Sequence, residues 1–188
     1  SSARTLAAVD DVPQSPSTGA VVRRRLRRNR RLRQNDAMSN LSCDVLVIGA
    51  GGAGMYAAIA AARDGADVIL LDKSLIGRGG ATVMAQMTVA AAMGHATPDH
   101  WTEHLADTLA AGRGLCHEPL AAALGADAPA RIHEMESWRT GWAADGSGAD
   151  KRFHQVMAPG HGKPRCVYVD FINTGPSVSK ALRTRLVR

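Results

Sequence analysis

Two short apolar runs flank one Ala-rich amphipathic stretch in the first half of the chain. Residues 44–48 (DVLVI) are β-branched and apolar, bounded by Gly49, the pattern of a strand buried on both faces. Met55 to Asp64 reads as a helix, with Gly65 placed to end it in a left-handed cap. Residues 67–71 (DVILL) form a second buried strand, and Asp72 follows it. Together they predict a β-α-β unit of about 30 residues with parallel strands, hence an α/β fold.

Downstream the pattern is mostly helical. Thr97-Pro98 supplies a cap and a first-turn proline for a helix carrying Trp101, Leu105 and Leu109 on one face. Glu118-Pro119 opens a short helix, and Asp127 caps another that runs to about Arg139 with Ile132 and Met135 on one face. Residues 141–164, rich in Gly, Asp and Lys, read as loop. Residues 165–170 (RCVYVD) alternate like a strand, and Pro176 to Leu186 reads as a final helix.

Composition changes this picture at one end. The 188 residues are 45% hydrophobic and 4% aromatic, with a formal charge of +6. All of that excess lies in residues 1–37, where RRRLRRNRRLR at positions 23–33 holds eight arginines, and the remaining residues are neutral. Residues 1–40 are therefore expected to be a disordered Arg-rich leader and residues 41–188 the folded part. Three readings of the leader stand side by side: an arm for nucleic acid or an acidic surface, a transit peptide, and a solvated tail or sequence upstream of a start at Met38. The third is favoured, because no aromatic is interleaved for base stacking and Asp10 and Asp11 weaken a transit peptide. Nucleic acid is accordingly not expected as a partner. No apolar run reaches the roughly 18 residues of a membrane span. The three separated cysteines, Cys43, Cys116 and Cys166, suggest neither a disulfide scaffold nor a zinc site.

The chemistry lies in Gly49-Ala50-Gly51-Gly52-Ala53-Gly54, a G-x-G-x-x-G between a strand and a helix, with Asp72 lying 18 residues beyond the last glycine. Gly49 permits the turn, Gly51 lets the backbone approach a pyrophosphate, and Gly54 lets helix and strand pack closely. The diphosphate would rest on the helix N-terminus, and Asp72 would accept hydrogen bonds from a ribose. This is the pattern of a dinucleotide site, and it does not separate FAD from NAD.

The next segment, Lys73-Ser74 followed by Gly77-Arg78-Gly79-Gly80-Ala81-Thr82-Val83-Met84-Ala85-Gln86, resembles the second phosphate-binding stretch of the succinate dehydrogenase/fumarate reductase flavoprotein family, which includes L-aspartate oxidase. Residues 107–115, 131–142 and 165–175 resemble later elements of that family. The resemblance implies a Rossmann-like FAD-binding domain with a parallel sheet, truncated before the capping domain. It implies diphosphate contacts from the backbone of Ala50 to Gly54 and the ribose on Asp72. Lys73 and Ser74 would lie near the ADP half, and Gly79, Gly80, Ala81 and Thr82 near the flavin-side phosphate and ribitol. Ala81 stands where succinate dehydrogenases carry the histidine bonded to FAD, so the implied cofactor is non-covalent FAD. Met87-Thr88 replaces a Gly-Gly pair, and Pro176 stands where relatives carry His. The implied activity is two-electron transfer between FAD and a small acid, with an iron–sulfur subunit, a quinone or oxygen as electron partner, in the cytoplasm or peripherally at the membrane. The family's substrate residues lie in the capping domain and a later segment, so no catalytic residue is assigned within residues 1–188. A catalytically inert dinucleotide-binding fragment is the competing expectation.

Other candidates weigh less. His100 and His104 have metal-ligand spacing without a third ligand, and a packed or surface pair is the preferred reading. Trp138 and Trp142 are expected in the core or at a subdomain contact, and Met84, Met87 and Met93 as fillers of packing gaps, with a place beside a flavin as the alternative for Met84.

Overall fold

The computed structural model describes residues 41–187, together with the backbone of Ala7–Ala8 and Ala20–Arg23. Apart from those six residues, the leader expected over 1–40 lies outside the described residues. The chain divides into two units, residues 1–83 with 182–188, and residues 84–181.

The first unit holds a four-stranded sheet of β1 (Ala7–Ala8), β2 (Ala20–Arg23), β3 (Val45–Ile48) and β4 (Val68–Asp72), in the order β1-β2-β4-β3. The predicted β-α-β unit is present: β3 and β4 are parallel, with Val45 opposite Val68 and Ile48 opposite Leu71, and α1 (Gly52–Arg63) connects them. β2 pairs antiparallel with β4, so the sheet is mixed. Helix α1 buries Met55, Ala58, Ile59 and Ala62, and β4 buries Val68, Ile69 and Leu70. Gly65 ends the connection at φ +94°, as its position predicted. The first strand departs from expectation. It is not buried on both faces: Leu46 is 53% and Ile48 80% exposed, because β3 forms an edge of the sheet and α1 covers only the face of Val45 and Val47.

The second unit begins with the last residue of α2 (Ala81–Met84) and contains β5 (Val89–Ala90), α3 (Trp101–Gly112), α4 (Glu118–Ser137), β6 (Ala144–Asp145), a 3-10 turn at Gly148–Asp150, β7 (Arg152–Phe153), β8 (Gln155–Val156) and β9 (Cys166–Val167). Helix α5 (Thr174–Leu186) starts in this unit, and its last residues belong to the first. Three expectations are corrected here. Helix α3 starts at Trp101, not at Thr97-Pro98, because Asp99 is held by Arg165 and His100 is extended and caps the helix with its side chain. The two helices expected on either side of Asp127 are one, continuous through Pro129; Gly125, Ile132 and Met135 are buried along it, and packing outweighs the hydrogen bond that the proline removes. Residues 141–164 are not all loop, for β6 and β7 form a hairpin while β8 joins β5 and β9 in an antiparallel sheet.

Ile132, Met135, Trp142, Phe153, Cys166 and Val167 are buried in this unit. Trp142 reaches the core as expected, its Nε1 donating to the carbonyl of Ile132 at 3.2 Å. Two of the methionines depart from the packing expectation: Met84 is 75% exposed and Met87 is also exposed, so neither fills a gap, whereas Met93 is half-buried. Arg165, 1% exposed, donates through Nε and Nη2 to the two oxygens of Asp99 at 2.7 and 3.0 Å and through Nη1 to Asp107. This fork ties β9 to the approach and the middle of α3, which is how a buried guanidinium is tolerated.

Candidate dinucleotide site

The site grows from the carboxyl ends of the two parallel strands, where open α/β sheets place their ligands. β3 ends at Ile48, and Gly49 turns the chain at φ +100°, a value that L side chains rarely adopt, while its N–H donates to the carbonyl of Leu71 at 2.7 Å. Helix α1 starts three residues later. A Cβ on Gly54 would lie 1.8 Å from the carbonyl oxygen of Gly49, so only glycine lets the helix sit this close to the turn.

Asp72, the last residue of β4, reaches back to this turn. Its Oδ2 accepts the N–H of Ala50 at 2.5 Å, and its Oδ1 accepts both the N–H and the hydroxyl of Ser74 at 2.7 Å. These bonds, the one from Ala50 first, hold the carboxyl below its ordinary range against the opposing effect of burial, so it is an anion at neutral pH. Residues 77–82 fold over the turn from the other side. The N–H of Gly77 donates to the carbonyl of Ala50 at 3.2 Å, and the Gly52 N–H donates to Thr82 Oγ1 at 3.0 Å. A Cβ on Gly79 would meet Ser74 Oγ at 2.6 Å, which presses this segment onto the residues following β4.

Between these pieces lies a cleft of about 420 Å³, lined by Ile48, Gly49, Gly51, Leu71, Asp72, Lys73, Ser74, Gly79 and Gly80. Seven of the thirteen residues nominated from sequence line it, namely Gly49, Gly51, Asp72, Lys73, Ser74, Gly79 and Gly80. Gly52, Ala53 and Gly54 form the first turn of α1 beside it, Ala50 is buried beneath it, and Ala81 and Thr82 open α2. Ile48 and Leu71 were not nominated. Their position as the closing residues of adjacent parallel strands is the signal that identifies them.

The residues suit a dinucleotide. Glycine is obligatory at 54, Gly51 has no protein atom within 4 Å of where its Cβ would project, and the helix start carries no acidic residue in its first turn. Helix α1 itself therefore offers an anion amides and no carboxylate at that end, while the Asp72 carboxylate sits on the neighbouring Ala50 amide.

Comparison with known proteins decides which dinucleotide. The family described as "FAD binding domain" matches residues 44–188. This chain belongs to that family. FAD is thus the cofactor of the domain, and the resemblance read from residues 49–86 is borne out. L-aspartate oxidase of Mycobacterium tuberculosis H37Rv is 35% identical over 142 residues, covering 76% of this chain and 26% of that protein. The Sdh1 complex of Mycobacterium smegmatis in its apo form matches with a TM-score of 0.68 at 36% identity, over 76% of this chain and 23% of that one. Quinol fumarate reductase FrdA of E. coli matches with a TM-score of 0.69 at 28% identity, over 79% and 25% respectively. The chain spans about a quarter of the length of the curated relatives it matches. Among the described residues, no helix of this FAD-binding domain is long and apolar enough to cross a membrane, and no group of three or more His, Cys, Asp and Glu is placed to hold a metal ion.

Proposed function

We propose that this FAD-binding domain is the cofactor-carrying part of an oxidoreductase that passes two electrons between non-covalent FAD and a small acid of the fumarate, succinate or aspartate class, with an iron–sulfur subunit as electron partner. The observation that carries the reading is the glycine turn at 49–54, clipped by Asp72 from one side and by Thr82 from the other. In this reading the amides of the turn hold the diphosphate, and Asp72 accepts from the adenosine ribose while Lys73 and Ser74 flank the ADP half. Gly79, Gly80, Ala81 and Thr82 border the flavin-side phosphate and ribitol. FAD supplies the two-electron chemistry when bound, and the residues of this chain bind and orient it. Ala81 offers no nucleophile for a covalent link to the flavin, which supports non-covalent attachment. No residue of this chain is assigned a catalytic role.

An absorbance spectrum of the purified chain, taken before and after acid precipitation, tests this. A flavin band that leaves with the supernatant is the expected result. A band retained in the pellet overturns non-covalent attachment, and a protein that stays colourless after incubation with FAD overturns the cofactor-carrying role.

A further inference from the structure

The residues that join β8 to β9 run along α3 without helix or strand of their own. Pro159-Gly160 sets their course with a turn, in which the His161 N–H donates to the carbonyl of Ala158 at 3.2 Å and Gly160 takes φ +88°. Three contacts then hold them to the helix. The ring centroids of His161 and His104 lie 5.5 Å apart, the Gly162 N–H donates to Asp107 Oδ2 at 2.6 Å, and Lys163 Nζ lies 2.7 Å from Glu103 Oε2. Residues 158–163 are thus a strap across the middle of α3.

The charged groups under the strap are matched, Arg165 with Asp99 and Asp107, and Lys163 with Glu103. The two rings are not. His104 is 5% exposed, and the Nδ1 atoms of His104 and His161 are both buried without a hydrogen-bond partner among the described residues. A proton on His104 is opposed first by burial, then by Arg165 and by His161 on the strap; Asp99 and Asp107 favour it, but Arg165 already engages both. His100, a turn earlier, is occupied as the cap of α3. Helix α4 meets α3 at Gly125 and, among the described residues, adds no charged group that acts on His104.

His104 lies inside α3 and cannot reach water without unwinding the helix. Lifting the strap hydrates the ring and takes His161 away, which removes two of the three obstacles and leaves only Arg165. We infer that residues 158–163 are a proton-operated strap: it lies closed on α3 while both rings are neutral, and a proton taken up by His104 lifts it. The opening is local, since the Arg165 fork and the packing of α3 on α4 do not depend on the strap. The device works with or without FAD, so it stands apart from the cofactor reading.

The test follows the Gly162 amide of the whole chain, without FAD, from pH 7.5 to 5.5. Its exchange with water is read by NMR and divided by the rate of an unstructured chain at the same pH. Asp107 stays an anion over this range, its carboxyl held down first by the Gly162 bond and then by Arg165, so the acceptor itself does not titrate. Protection of Gly162 is expected to fall roughly tenfold, the uptake of one proton by a ring whose ordinary value is about 6.5, while the amides of α4 keep theirs. In His104→Gln, which takes no proton, protection should stay within about twofold. Should Gln fail to fold, His104→Phe, which keeps a ring against His161, takes its place. Protection that is constant in wild type overturns the strap. So does an equal fall in the variant, and so does an equal loss across α4, which would mean that acid unfolds the whole unit.

Discussion

The carboxylate of Asp72 accepts the amide of Ala50 at 2.5 Å, so the end of one parallel strand closes the glycine turn that follows the other. Protein groups, Ser74 among them, therefore orient the side chain that the sequence pattern assigns to a ribose. One residue holds the turn in shape and faces the nucleotide cleft.

Asp72→Asn tests that double role. An amide cannot accept on both sides, so its NH₂ must face either the Ala50 N–H or the donors of Ser74. A loss of about 1–2 kcal/mol in urea unfolding at pH 7 is expected, together with weaker FAD binding. The pH dependence follows from the lowered pKa of Asp72, whose first cause is the Ala50 bond. Stability from this group is fully present above its ordinary value of about 3.8 and is lost as pH falls below that toward the folded value. In Asp72→Asn that part of the acid limb should flatten.

Two glycines of the turn should separate folding from binding. Gly54→Ala places a methyl 1.8 Å from the Gly49 carbonyl, a backbone collision that cannot be relieved by a rotamer, and loss of soluble folded protein is expected. Gly51→Ala meets no protein atom within 4 Å and has φ −71°, open to any residue. It should melt within a degree or two of wild type yet bind FAD at least tenfold more weakly, on the order of one displaced contact, because the methyl enters the cleft. Thermal melts and FAD titration read the two effects.

His104 gives the second unit a pH dependence near neutrality. It is buried on α3 beside His161, and its Nδ1 has no hydrogen-bond partner. Burial first, then the nearby Arg165 and His161, lowers its pKa, against the opposing pull of Asp99 and Asp107. The folded protein thus resists a proton that the unfolded chain accepts below about 6.5. Stability is full above that pH and declines as pH falls through it toward the folded value. Urea midpoints between pH 7.5 and 5 should show the decline, and His104→Leu should reduce its slope. His95, whose pKa is lowered chiefly by burial, contributes to the same window and should account for the slope that persists in that variant.

Arg139 follows the end of α4 in the left-handed region at φ +65°. Its N–H donates to the carbonyl of Glu136 at 2.8 Å, and the next amide, Thr140, donates to Met135 at 3.2 Å, a geometry that glycine adopts without steric cost. Arg139→Gly is expected to stabilise the protein by about 0.5–1 kcal/mol in thermal or urea unfolding.

The helix ends show how far local pattern reaches. At Gly65 a glycine following an Ala-rich stretch was enough to place the end of α1, since the left-handed cap needs nothing from elsewhere in the chain. At Thr97-Pro98 an equally good local start signal is overruled. Asp99 is bound by Arg165, 66 positions away, and the segment stays extended until His100 caps the helix. Pro129 shows the opposite case, where a local stop signal inside α4 is overruled by burial on both sides of it.

The sequence alone determined the parallel β-α-β unit, the glycine turn and the acidic residue beyond it, and the family to which they belong, because each depends on residue types at close spacing. Glycine at 54 is required by a carbonyl five residues earlier, and the apolar runs of β3 and β4 mark themselves. Tertiary structure alone decided which face of β3 is covered, where α3 begins, and which side chains engage the amides of the turn. Those depend on Arg165 reaching Asp99, on Asp72 reaching Ala50 and on Thr82 reaching Gly52, contacts across 66, 22 and 30 positions that no local pattern encodes.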